Sequence, residues 1–140
     1  MNIFNENFDK FACIGESISA EYQGIELTAR IVFDSDYKID DDDFHNPDQS
    51  VTGCNDEQFA KLLEARQAWF DDDWFYCGIV ISASKNGVEL TDHAASLWGI
   101  ECNYPDSDND YLRDVCNQLA DEAIEEANNA LDDMRVKLCA

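Results

Sequence analysis

Apolar and polar residues alternate strictly in two consecutive stretches near the start of the chain. Ile18, Ala20 and Tyr22 alternate with Ser17, Ser19 and Glu21; after Gln23-Gly24, the residues Ile25, Leu27, Ala29, Ile31 and Phe33 alternate with Glu26, Thr28 and Arg30. A period of two on either side of a glycine-containing break predicts a hairpin with one apolar and one wet face. The wet face should carry Thr28 and Arg30. Upstream, Phe4, Phe8 and Phe11 are spaced by four and three, which suits a short amphipathic helix or a tucked arm.

The pattern then lapses. From about 35 to 54 no periodicity survives, and Asp40, Asp41, Asp42, Asp43 and Asp48 accumulate with Pro47 and Gly53; this reads as an exposed acidic loop. Asn55, with Gln58 three positions on, forms a capping-box signature, and Phe59, Leu62, Leu63 and the run to Phe70 continue at helical spacing. The predicted helix ends on Asp71, Asp72 and Asp73, whose charge opposes the helix dipole.

Between Trp74 and Glu101 charge almost disappears, leaving Glu89, Asp92 and Glu101 against Lys85. Phe75 to Ser84 is apolar or small at nearly every position, as in a central strand. Asn86-Gly87 marks a tight hairpin, and Val88 to Thr91 begins the return strand. Asp92 to Leu97 suits either a helical turn or a bulge, with the strand resuming at Trp98. From Leu112 to Leu138, apolar residues recur every 3.6 positions, which predicts a long amphipathic C-terminal helix. The order β-β-α-β-β-α predicts one α+β domain over residues 1–140. Its expected form is a mostly antiparallel four-stranded sheet with both helices on one face.

Charge changes the picture. Thirty-one acidic against 9 basic residues give a net charge of -22, whereas solubility asks for a magnitude of only about 2–8. Such a surface excludes direct binding to nucleic acid, which relies on Lys and Arg, and to anionic membrane. It favours a basic protein partner. Met1 to Gly15 lacks the basic and apolar regions of an export signal, so a cytoplasmic setting is expected, with the six cysteines as reduced thiols.

Catalytic and metal motifs fail on spacing. Asp106 to Asp110 alternates like the start of a calcium loop, but Tyr111 stands where glycine is needed and Asn117 where a bidentate Glu is needed. His45 and His93 lie outside zinc-ligand spacing from any cysteine. A Cys77 or Cys102 pair with His93 would sit in a field that opposes thiolate formation. No phosphate loop or nucleophile elbow is present. No catalytic residue, metal or cofactor is therefore expected, and the protein is read as a non-enzyme.

Gly87-Val88-Glu89-Leu90, Ser96-Leu97-Trp98-Gly99-Ile100-Glu101 and Asp110-Tyr111-Leu112 resemble stretches of small acidic proteins of bacteriophages and mobile elements, over roughly Trp74 to Ala130. No functional residue is carried over with this resemblance. What it implies is a bacterial host cytoplasm and, by analogy with anti-CRISPR and anti-restriction DNA mimics, an inhibitor of a defence nuclease complex. The expected partner is the basic, nucleic-acid-binding groove of one of its subunits. The residues expected to meet it are Asp40 to Asp43, Asp71 to Asp73, Asp114, Asp121, Glu122, Glu125, Glu126, Asp132 and Asp133, with Trp74 and Trp98 as aromatic anchors. The rival expectation is a non-catalytic interaction module or homodimer whose acidity serves solubility or salt adaptation.

Overall fold

The computed structural model describes residues 2–36, 49 and 53–139. Its elements are β1 (Ser17–Tyr22), β2 (Ile25–Phe33), α1 (Asp56–Phe70), β3 (Phe75–Lys85), β4 (Val88–Cys102) and α2 (Asp110–Cys139). The strands form one antiparallel sheet in the order β1-β2-β3-β4, the α+β arrangement expected. Both hairpins close on two-residue turns, Gln23-Gly24 and Asn86-Gly87, with all four φ values positive, the geometry that matches strand twist.

The predicted alternation sets the faces. Leu27, Ala29 and Ile31 pair with Ala83, Ile81 and Ile79, and all six are buried on one side of the sheet. Thr28, paired with Ser82, and Arg30, paired with Val80, take the other. α2 covers the first face with Leu112, Cys116, Leu119, Ala120, Ala123, Ile124 and Ala127. Four of those seven are alanine or cysteine, which lets the helix backbone lie close to the sheet.

The N-terminal segment is the tucked arm rather than a helix. Phe4 and Phe8 enter the core while Phe11 stays exposed. Asn117 clamps Phe4 by accepting from its N–H (2.9 Å) and donating to its carbonyl (3.2 Å). Asn109, fully buried, donates to the carbonyls of Asp9 and Lys10, and Asn103 both accepts from and donates to Ala12.

α1 begins where its cap predicts. Its capping box is present: Asn55 accepts from Gln58 N at 2.8 Å, and Gln58 accepts from Asn55 N at 3.0 Å. Yet it adds nothing to the main core. Its single buried residue is Ala65, whose carbonyl accepts from the Trp74 indole at 2.9 Å. Trp74 in turn stacks edge-on against Tyr76 and Tyr104, and Tyr76 alternates to the face opposite Cys77. α1 is thus joined to the fold through Trp74 rather than through the main core.

Asp92 to Leu97 is strand throughout, absorbed by bulges: the β3–β4 register shifts between Cys77 and Ile79, between Ile81 and Ala83, and between Ala83 and Ser84. At the first shift Gly99 has φ +73, and its N–H donates to the buried Asp34 carboxylate at 2.9 Å. Opposite it, Gly78 has no side chain because the Trp98 ring lies over it; a Cβ there would overlap Cε3, Cδ2 and Cζ3 of the indole. Gly78→Ala should cost about 1–3 kcal/mol in urea unfolding and red-shift tryptophan emission as Trp98 is expelled. Adding Trp98→Ala should return part of that loss, since the pair is in direct contact.

Candidate partner-binding surface

Asp114, Asp121, Glu122, Glu125 and Glu126 are all exposed on α2. At 100° per residue, Asp114, Asp121 and Glu125 fall in one row and Glu122 and Glu126 in a second, about a quarter-turn round the helix. The first row points away from the sheet, opposite the buried stripe, and the second lies along the flank of the helix. From Asp114 to Glu126 the five carboxylates span about 18 Å, near one per 4 Å. A single strand of B-DNA carries one phosphate per about 3.4 Å.

Asp132 and Asp133 are on the same helix but differ electrostatically. Asp132 lies 3.7 Å from Arg135, and Asp133 2.9 Å from Lys137. Both pairs are exposed and intrahelical, and they dilute the negative field at that end. The i,i+3 and i,i+4 spacings carry this signal in the sequence.

The Asp71-Asp72-Asp73 cluster terminates α1. Asp72 N–H donates to the Trp69 carbonyl at 3.1 Å and Asp73 N–H to the Ala68 carbonyl at 2.8 Å, the crossed pair of a Schellman cap. Asp72 takes the left-handed position, with φ +59, where glycine is the usual residue. All three side chains are exposed. β3 begins just beyond them, and its first residue, Phe75, pairs with Cys102 at the end of β4. The triplet therefore stands at the end of the sheet from which α2 departs, where Asp106, Asp108 and Asp110 add further charge. The Asp108 carboxyl is held below the usual Asp range by the Asp110 N–H, which donates to it at 3.0 Å. Asp40, Asp41, Asp42 and Asp43, and His45, lie outside the described residues.

The two tryptophans part company. Trp74 is 1% exposed and serves as the bracket for α1; it is not available to a partner, because it is buried, its indole N–H donates to Ala65, and its ring packs on Tyr76 and Tyr104. Trp98 is 45% exposed. It lies over Gly78 on the sheet face opposite α2, so it does not join the helical carboxylates. Its indole donates to Ser96 Oγ at 3.2 Å, and the same oxygen is 2.9 Å from His93 Nε2.

Cys77 and Cys102 hydrogen-bond to each other inside the core, far from the exposed His93 in environment. The bond to Cys102, followed by burial, pushes the Cys77 thiol well up; burial raises Cys116 to about 12. These are packing residues, poorly suited to nucleophilic work. Among the described residues no three His, Cys, Asp or Glu side chains are grouped to hold a metal ion, and no helix is long and apolar enough to cross a membrane. No protein family, curated protein or solved structure matches the chain.

Two outcomes follow from this geometry. Asp72→Gly should stabilise the fold by about 1 kcal/mol in urea titration, by removing left-handed strain and a misplaced charge; Asp72→Asn should recover less. In the native state a chromogenic thiol reagent should titrate the exposed Cys13 and Cys139 quickly, while Cys77, Cys102 and Cys116 react only after denaturation.

Proposed function

We propose that this chain is a non-enzymatic inhibitor of a bacterial defence nuclease complex, of the anti-CRISPR or anti-restriction kind, that occupies a basic nucleic-acid-binding groove as a DNA mimic. The observation that carries the reading is the double row of exposed carboxylates from Asp114 to Glu126 on one rigid helix, at a linear density close to that of a phosphate strand. A helix held along its inner side by the sheet presents those charges without having to order them on binding. That lowers the entropic cost of association.

The net charge of -22 adds long-range attraction to any basic groove and steers encounter. The acid-rich end, with Asp71 to Asp73 and Asp106 to Asp110, would extend the imitation past the start of α2. Trp98, on the other face of the sheet, stands apart from this surface. The partner is identified by chemistry alone: a groove lined with Lys and Arg that otherwise holds DNA or guide-paired DNA.

The test is competition. Purified CRISPR effectors and restriction endonucleases are assayed for DNA binding and cleavage with increasing amounts of the protein. Inhibition should be relieved by excess DNA and should weaken steeply as salt rises. Asp121→Asn, Glu122→Gln, Glu125→Gln and Glu126→Gln combined should leave the circular dichroism unchanged and weaken inhibition about 30-fold, taking roughly 0.5 kcal/mol per exposed charge. Simultaneous binding of DNA and this protein to the same groove would overturn the reading.

A further inference from the structure

β1 is one of the two edges of the sheet, and its outer side is open. The Ile31 N–H donates to the Glu16 carbonyl at 2.9 Å, which with the β1–β2 register sets the phase of the ladder: Ile18, Ala20 and Tyr22 turn their main-chain groups toward β2. Ser17, Ser19 and Glu21 therefore turn theirs outward. Among the described residues none hydrogen-bonds to those outward N–H and carbonyl groups.

The two edges are protected unequally. β4 shifts register repeatedly against β3 and carries the Trp98-Gly99 bulge, irregularities that deter a further strand. β1 pairs without interruption from Ser17 to Tyr22 and holds no Lys, Arg or Pro. α2 lies over β4 and β3 and scarcely reaches β2, so it leaves the approach to β1 clear. Beside the edge, the small side chains of Ser19 and Ala20 leave an open hollow of about 310 Å³, bordered also by Glu26, Leu27 and Thr28.

An open strand edge accepts another extended strand, and the outward residues of β1 are complementary to themselves. In an antiparallel pair about a two-fold axis through Ser19, Ser17 faces the second copy's Glu21, Ser19 faces its own counterpart, and Ile18 faces Ala20 on the apolar side. Each outward N–H then meets an outward carbonyl. Ser19 is the only centre that achieves this for all three outward residues, and none of the resulting pairs opposes like charges. In a chain of charge -22 that condition is restrictive. An axis at Glu21 would set that carboxylate against itself.

We infer that the outer edge of β1 is a homodimer interface, joining the sheets of two copies into one continuous sheet. The axis stands perpendicular to the sheet, so both copies of α2 fall on the same face. With strands about 4.8 Å apart, a helix over β3 and β4 lies about 14 Å from the axis and about 29 Å from its counterpart. That exceeds three Debye lengths of about 8 Å at physiological salt, which keeps repulsion between the two helix faces low. The carboxylates from Asp114 to Glu126 take no part in the contact, and the dimer displays both sets side by side.

Sedimentation equilibrium at near-physiological salt, from low to high micromolar protein, tests this. The unmodified chain and Ser19→Ala should sediment as dimers. Ser19→Pro deletes an outward N–H that the single chain does not use, and it should give a monomer with unchanged circular dichroism. Ser19→Lys leaves the main chain intact, so it serves even if proline disturbs the fold; two like charges at the axis should weaken association about tenfold or more. The register is read by cross-linking. With Cys13, Cys54 and Cys139 replaced by Ser, Ser19→Cys should form a disulfide-linked dimer on oxidation with diamide, because facing residues of a hydrogen-bonded pair lie about 5.5 Å apart. Ser17→Cys, which faces Glu21, should not. A monomer throughout the range would overturn the inference, as would a dimer that survives Ser19→Lys or cross-links equally through either position. These variants keep Asp114 to Glu126, so association is read separately from any loss of inhibition.

Discussion

The seam between α2 and the sheet is the contact on which the rest of the molecule depends. A chain of charge -22 repels itself when compact, and burial at this seam must offset that repulsion. Leu112, Cys116, Leu119, Ala120, Ala123, Ile124 and Ala127 meet Leu27, Ala29, Ile31, Ile79, Ile81 and Ala83 across one apolar layer. The N-terminal arm seals it with Phe4 and Phe8. Because the helix is amphipathic, the same folding event that buries its apolar stripe aligns its carboxylates on the outside. Packing and display are two consequences of a single periodicity.

The second face of the sheet is governed by a different constraint, the excess length of β4. Fifteen residues of β4 run beside eleven of β3, and the surplus is stored in bulges. The bulge at Trp98-Gly99 is secured by Asp34, which reaches across from the end of β2, and by Gly78, which makes room for the indole. Here a buried carboxylate is tolerated because it receives backbone N–H groups from Gly99 and Asp36. The consequence is a half-exposed tryptophan fixed on the opposite side of the molecule from the acidic helix face.

The molecule has two unlike ends because its hairpin turns fall together at one of them. Strand entries and exits, the α1 cap and the start of α2 gather acid at one end. The turns and the last turns of α2 bring Lys85, Arg135 and Lys137 to the other. Along α2 the field therefore changes character, from exposed carboxylates between Asp114 and Glu126 to paired charges at Asp132 and Asp133. The helix face from Asp114 to Asp133 is therefore not uniform, since Asp132 and Asp133 are partly neutralised within their own helix.

How much of this was legible beforehand depends on the range of the interactions involved. Strand alternation, the Asn55–Gln58 capping box, both hairpin turns and the α2 period are local, and each produced the element expected of it. The acidic character of the surface also followed from composition. Which tryptophan is exposed did not, because Trp74 and Trp98 differ only in what approaches them from afar: Ala65, Tyr76 and Tyr104 enclose the first, while Gly78 supports the second from one side. The tie of α1 to Trp74, the clamp of Asn109 and Asn117 on the N-terminal arm, and the reach of Asp34 to Gly99 are likewise contacts that no local pattern announces. By itself the sequence determined the elements, their order and the sign of the surface. Tertiary structure decided which residues those elements left uncovered, since exposure depends on neighbours that no local spacing records.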